Sequence, residues 1–281
     1  MRGRAFDFPD TLLPMKRLVV INKKIGETPL EALSAWKALH PLYAGVPASY
    51  AGRLDPMASG KLLVLLGDEC KKKEQYAGLD KEYVVRVLLD VCTDTGDVLG
   101  LPTYAGKNTT PSKSLVRQVL ESEVGSHPRA YPAYSSKTVA GVPLFLHTLR
   151  GTPVELPTHT ETIHSIHLEG MEQVYTNTLS ASIERLLLRV PRDSSPSKEL
   201  GSDFRQDQIR EAWSKLFTSL PDRPFTVLTI RVRCGTGTYM RTLAERIGSA
   251  LETRALALSI HRTHIGKYRN LGLLSFFFPS F

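Results

Sequence analysis

Apolar and polar positions along the chain change period several times, and each change marks an element. VVIN at 19–22 reads as a short strand. It leads into TPLEALSAWKALHP, whose spacing predicts a helix: Thr28 serves as N-cap, Pro29 takes the first helical position and Glu31 completes a capping box. Leu30, Leu33, Trp36 and Leu39 then line one face. KLLVLLG, an apolar run ending at Gly67, has the length of a buried strand. In EYVVRVLLDVC, Tyr83, Val85, Val87, Leu89 and Val91 alternate with Arg86 and Asp90, and TDTGD at 93–97 supplies the turn. PSKSLVRQVLES repeats the helix logic behind Thr110 and Pro111. FTVLTIRVRC alternates again, with Leu228, Ile230, Val232 and Cys234 on one side. Leu243, Ile247 and Leu251 place a helix at about 239–251. LGLLSFFFPS at 271–280 reads as a terminal strand packed on the body.

These elements lack the regular alternation of a doubly wound sheet, and several strands read as antiparallel. The expected class is α+β, with a mixed, mostly antiparallel central sheet and flanking helices. Residues 1–15 form an N-terminal extension and 16–281 one domain, interrupted at about 171–223. That interruption contains a polar, Ser/Pro-rich loop, RDSSPSKELGSD, and an amphipathic helix, FRQDQIREAWSKLFTSL, and reads as an insertion between two strands of a common sheet. No internal repeat is found.

Composition narrows the class. The hydrophobic content of 42% and charged content of 23% belong to a globular chain, and no apolar run approaches a membrane span. The N-terminus lacks the apolar core of a secretory signal. Cys70, Cys92 and Cys234 are too few and too scattered for a disulfide framework or a zinc knuckle, so the cytoplasm is the expected compartment; a monomer is expected as well. The net charge of +8 favours an anionic partner such as nucleic acid.

Several chemistries can be weighed on spacing. His159, His164 and His167 sit close in sequence, but in a strand pattern positions three apart, such as His164 and His167, point to opposite faces, and no carboxylate or cysteine completes a metal set. GTGT at 235–238 matches no phosphate-loop pattern and suits a strand turning sharply into a helix. Asp94 and Asp97 read as turn residues rather than a glycosidase pair. What remains are four short stretches bearing side chains that a base-handling site needs: Asp55 in YAGRLDPMASG, Tyr83 in KEY, Tyr134 in PAYSSK, and Tyr239 with Arg241 in GTGTYMRT.

Their order is informative. GRLDPMASGKLLVLLGDECKK, KEYVVRVLLDVCTDTGD, PRAYPAYSSKTVAG and RVRCGTGTYMRTLAERIG resemble, in sequence and in succession, the TruB-type tRNA pseudouridine synthases, from about Val19 to Tyr268. The resemblance implies the pseudouridine synthase fold, with a cleft across the sheet, and a cofactor-free, metal-free isomerase. Its substrate would be tRNA, at position 55 of the T-arm stem-loop. The rival reading is a non-catalytic RNA-binding or tRNA-folding protein on the same scaffold; a hydrolase lacks a convincing second acid.

By the same resemblance Asp55 is the catalytic aspartate, Arg241 its cationic partner and Tyr83 the tyrosine that stacks on the base. Tyr239 and Tyr134 are substrate-binding positions, Ile260 is an apolar residue against the base, and Lys23 a basic residue lining the site. A desolvated carboxylate would tend to protonate, and a guanidinium able to bind it bidentately favours its ionised form. Gly52, Ala58 and Gly60 are expected to leave room for a nucleotide backbone, with Arg53 set to meet a phosphate. Asp55 is expected to stand alone, because a second carboxylate would repel RNA. Three features depart from the family pattern: Tyr50 where histidine is usual, Lys24 where proline is common, and PAYSSKT, which gives Lys137 no role. With the core closing near Tyr268, no C-terminal RNA-binding PUA domain is expected before Phe281.

Overall fold

The computed structural model describes residues 16–190, 205–271 and 274–278; the extension 1–15 and the Ser/Pro-rich stretch lie outside the described residues. Strand β1 (Leu18–Lys23) leads to α1 (Pro29–Ala38), where Thr28 and Glu31 form the reciprocal capping box. Two more strands follow, β2 (Ala48–Ala51) and β3 (Ala58–Leu66), and the short helix α2 (Lys73–Ala77). β4 (Asp80–Leu89) is succeeded by the small ribbon of β5 (Val91–Thr93) and β6 (Pro102–Tyr104). Helix α3 (Lys113–Ser122) precedes β7 (Gly125–Ala130), then a two-stranded ribbon of β8 (Thr138–Val139) and β9 (Val142–Pro143), and α4 (Leu144–Leu149). The long β10 (Thr158–Tyr175) is followed by α5 (Thr176–Arg189), α6 (Gln206–Ser219), β11 (Pro224–Cys234), α7 (Met240–Ala250), β12 (Ala255–Leu271) and β13 (Leu274–Phe278).

The fold is α+β. Among the described residues, nine strands form one sheet in the order β1-β3-β12-β4-β11-β10-β7, with β2 added to β3 and β13 to β12. Neighbouring strands run antiparallel except β3 and β12, which pair in parallel at Ala58–Ile260, Ser59–His261 and Gly60–Arg262. The central strands alternate as their sequences do. Val85, Val87, Leu228, Ile230 and Val232 are fully or almost fully buried in the main core with Leu243 and Ile247 of α7.

Three expectations need correction. Leu30 and Leu39 of the predicted α1 stripe are 62% and 79% exposed, and the helix instead buries Ala32 and Leu33 against Ile21, Leu62 and Val64. Helix α1 covers only the β1–β3 margin of the sheet, so a narrow contact suffices. Asp90 is not an outward polar residue. It is fully buried at φ +69°, where the β4 backbone breaks, and its carboxylate accepts from the Thr109 amide, the Thr253 hydroxyl and Arg223. Finally, β10 continues to Tyr175, so residues 171–175 belong to the sheet; the α5–α6 hairpin, described over its two helices Thr176–Arg189 and Gln206–Ser219, lies between the paired strands β10 and β11. Its inward residues Leu179, Ile183, Leu187, Ile209, Trp213 and Phe217 join the main core at helical spacing.

Candidate active site

The stretch around Asp55 has to leave one sheet edge and return, because β2 and β3 pair antiparallel on either side of it. Two buried cations hold this loop. Arg262 of β12 donates to the carbonyls of Gly52, Arg53 and Lys61. Lys23 of β1 donates to Ala58 O at 2.6 Å, Lys24 O at 2.9 Å and Pro56 O at 3.4 Å. Burial lowers the Lys23 ammonium to about 8, against the pull of Glu27 and Asp55. Lys23 is therefore a support for the loop, 1% exposed, rather than a basic residue on a binding wall. Arg262 was not singled out in the sequence; its signal is a long cationic side chain in the apolar alternation of ALALSIHRTHIG.

The small residues of this loop have a different reason from the one expected. A side chain at Gly60, where φ is +105°, would place Cβ 2.3 Å from the Arg262 carbonyl oxygen, so glycine is demanded by the close parallel approach of β3 to β12. Gly52, at φ +72°, faces Lys81 and Arg262, and Ala58 is 2% exposed in the core. Ala58 and Gly60 are thus taken up by packing within the sheet and are not reserved for a nucleotide backbone. Arg53 does project outward.

Asp55 meets Arg241 across the sheet. Arg241 Nε donates to Asp55 Oδ2 at 2.8 Å, while Nη1 donates to Thr95 O at 2.6 Å and Nη2 to Tyr134 O at 2.9 Å. The expected two-pronged grip on the carboxylate is thus a single charge-assisted bond, because two main-chain carbonyls take the other donors. Arg241 is buried whereas the Asp55 side chain is 45% exposed, so the carboxylate keeps part of its hydration. Burial opposes the guanidinium charge, yet the carboxylates of Asp55 and Asp97 more than compensate and raise its pKa.

Asp97 corrects the expectation of a lone acid. Its carboxylate lies 3.8 Å from Arg241 Nε, buried, and accepts from the Thr95 hydroxyl at 3.0 Å and the Leu99 amide at 2.9 Å. Burial pushes it up to about 6 although Arg241 draws it down. Arg241 thus stays cationic, while Asp97 titrates just below neutrality instead of in the ordinary carboxylate range. The turn reading of Asp94 and Asp97 holds structurally, but the turn serves the site.

Tyr83, on β4 opposite Val232 and Arg262, is only 8% exposed; burial raises its phenol, with the Arg262 cation opposing. Ile260 is buried beside Ala58. Tyr239 caps α7, its ring edge-on to Tyr131 at 6.1 Å and to His159 at 6.2 Å; burial and the Asp55 charge raise its phenol. Tyr134 reaches the site through its carbonyl, and its hydroxyl donates to Asp94. His159 contacts the Gly237 carbonyl and His164 contacts Asp80; among the described residues no three His, Cys, Asp or Glu side chains gather as a metal set.

The site thus sets an acid on the β2–β3 loop against a buried arginine of α7 on a mixed sheet, and comparison with known proteins specifies the class of this fold. Residues 44–185, just over half of the chain, match the TruB family pseudouridylate synthase (N terminal domain) model, and the chain belongs to that family. It is 28% identical over 249 residues to tRNA pseudouridine synthase B of Burkholderia mallei (strain NCTC 10247), covering 89% of this chain and 64% of that protein. With tRNA pseudouridine synthase B of Xanthomonas campestris pv. campestris (strain B100) it shares 26% over 259 residues, or 92% and 66% of the two chains. The chain thus spans under two thirds of the length of these curated relatives. A solved Cbf5-Nop10-Gar1 complex contains a chain of the same fold, at TM-score 0.50 and 18% identity, covering 89% of this chain and 48% of that one. No helix among the described residues is long and apolar enough to cross a membrane.

Proposed function

We propose that the chain is an isomerase that converts uridine to pseudouridine in tRNA, at position 55 of the T-arm stem-loop. The observation that carries this reading is the 2.8 Å contact between Asp55 and a buried arginine. The reaction breaks the bond between ribose C1′ and uracil N1 and forms one between C1′ and C5; C5 loses a proton and N1 gains one, with no net oxidation or hydrolysis. It needs an ionised acid at the glycosidic carbon and a site that retains the freed base.

Asp55 supplies the acid, and its partial exposure lets a nucleotide approach it. Arg241 donates a charge-assisted hydrogen bond to it, with its remaining donors already committed to carbonyls, so little reorganisation accompanies charge development. The uridine must leave its stack, which costs a few kcal/mol, and Tyr83 with Tyr239 offsets part of this by contact with the base. Because Tyr83 is already largely packed, it meets the base with a small remaining surface, and Tyr239 supplies the larger share. Arg53 contacts a phosphate.

The test is release of tritium from C5-labelled uridine in a T-arm stem-loop. Release by the native chain, abolished in Asp55→Asn while RNA affinity stays within about threefold, is the expected outcome. A folded chain that binds the stem-loop but releases no tritium is a binding protein and not an isomerase.

A further inference from the structure

Arg241 is aimed at Asp55 by three side contacts, and none of them lies on its own helix. Thr95 O, Tyr134 O and the Asp97 carboxylate surround the guanidinium and direct Nε outward. Thr95 and Asp97 belong to one turn, tied internally by the Thr93 hydroxyl donating to Asp97 O at 2.6 Å and by the Leu101 amide donating to Asp94 at 2.8 Å. From outside, the centre of the turn is tied to β12, where the Ala257 amide donates to Gly96 O at 2.9 Å, and its two ends are gripped by the α5–α6 hairpin. Arg205, in the left-handed region at φ +62° directly before α6, donates to Asp94 Oδ2 at 2.7 Å. About two helical turns further, the buried Trp213 donates its indole N–H to Val98 O at 3.0 Å. The Arg205 guanidinium also lies 5.3 Å over the Tyr134 ring, whose main chain supplies the third contact.

The hairpin therefore holds Asp94 and Val98 at the two ends of the turn and Tyr134 beside it. Every non-Asp55 partner of Arg241 named above is on a segment so held. Its own charge does not mark it as an RNA surface, since the two helices carry three acidic and four basic side chains.

We propose that the α5–α6 hairpin positions Arg241 for its contact with Asp55, with Arg205 and Trp213 as its positioning residues. The inference rests on the isomerase reading. Misplacing a catalytic group by about 1 Å from a remote site costs up to ~100-fold in rate, so loosening this turn acts on turnover rather than on RNA binding.

The experiment compares steady-state tritium release from the C5-labelled stem-loop by the full chain, Arg205→Ala, Arg205→Lys and Trp213→Phe, alongside thermal unfolding of each. Arg205→Ala should lower kcat about tenfold with KM within about twofold. Trp213→Phe, which removes the N–H along with part of the buried ring, should show a smaller loss of the same kind. Arg205→Lys should recover most of the rate, and both Arg205 variants should unfold near the native temperature, with Trp213→Phe lower but still folded at the assay temperature. Unchanged kcat in Arg205→Ala and Trp213→Phe would overturn the proposal, as would a rise in KM at constant kcat, which marks an RNA contact, or wholesale loss of folding, which marks a general scaffold. Failure of the unaltered chain to release tritium would instead remove the isomerase reading on which the proposal stands.

Discussion

Arg241 carries three donor groups, and each has a separate acceptor. A lysine there would retain the charge but could not satisfy three acceptors in one plane. Arg241→Lys is expected to lower tritium release by about 100-fold with the chain still folded; a loss under threefold would mean that charge alone is what the site requires. Asp97 gives a prediction of opposite sign for stability. Its folded pKa is about 6 against an ordinary 3.8, so its neutral form is favoured on folding. The associated stability is present below about pH 3.8 and lost as pH rises through about 6. Asp97→Asn should thus raise the unfolding free energy at pH 8 by on the order of 3 kcal/mol relative to the native chain, with the gain fading in acid, while turnover falls. Denaturant unfolding across pH would detect it, and a gain independent of pH would show that the carboxylate is not the cause.

Elements make their own demands. Gly60 lies where β3 and β12 approach in parallel, and Gly60→Ala should cost more than ~1 kcal/mol, because it adds a Cβ at positive φ against the Arg262 carbonyl. On the other face of β4, buried Glu82 gathers Arg231, Arg233, Thr263 and His264 from β11 and β12. Burial works against its charge, but these donors prevail and bring it down to about 2 from 4.5. Its contribution is complete above pH 4.5 and declines as pH falls toward about 2. Glu82→Gln is therefore expected to destabilise by ~3 kcal/mol near neutrality, and the difference from the native chain should shrink through that acid window in urea titrations. An unvarying difference would place the effect in packing instead.

At the scale of the whole molecule the net charge is +8, and the proposed ligand is a polyanion. Affinity for the stem-loop should fall at least ~10-fold between about 50 and about 200 mM salt, with a log–log slope that counts phosphate contacts. Fluorescence anisotropy over a salt series would check this, and a flat response would remove the electrostatic account.

Much was legible in the residues. The capping box at Thr28 and Glu31, the alternation in β4 and β11 and the period of α7 and α6 are local patterns, and local sterics and burial enforce them whatever the chain does elsewhere. The residue types at 55 and 241 were likewise visible as a motif. Only the tertiary structure decided that Asp97 joins them, that Lys23 and Arg262 lie under the loop, and that Gly60 serves a neighbouring strand. Each of these depends on contacts between segments far apart in sequence, and periodicity along one segment carries no record of what packs against it.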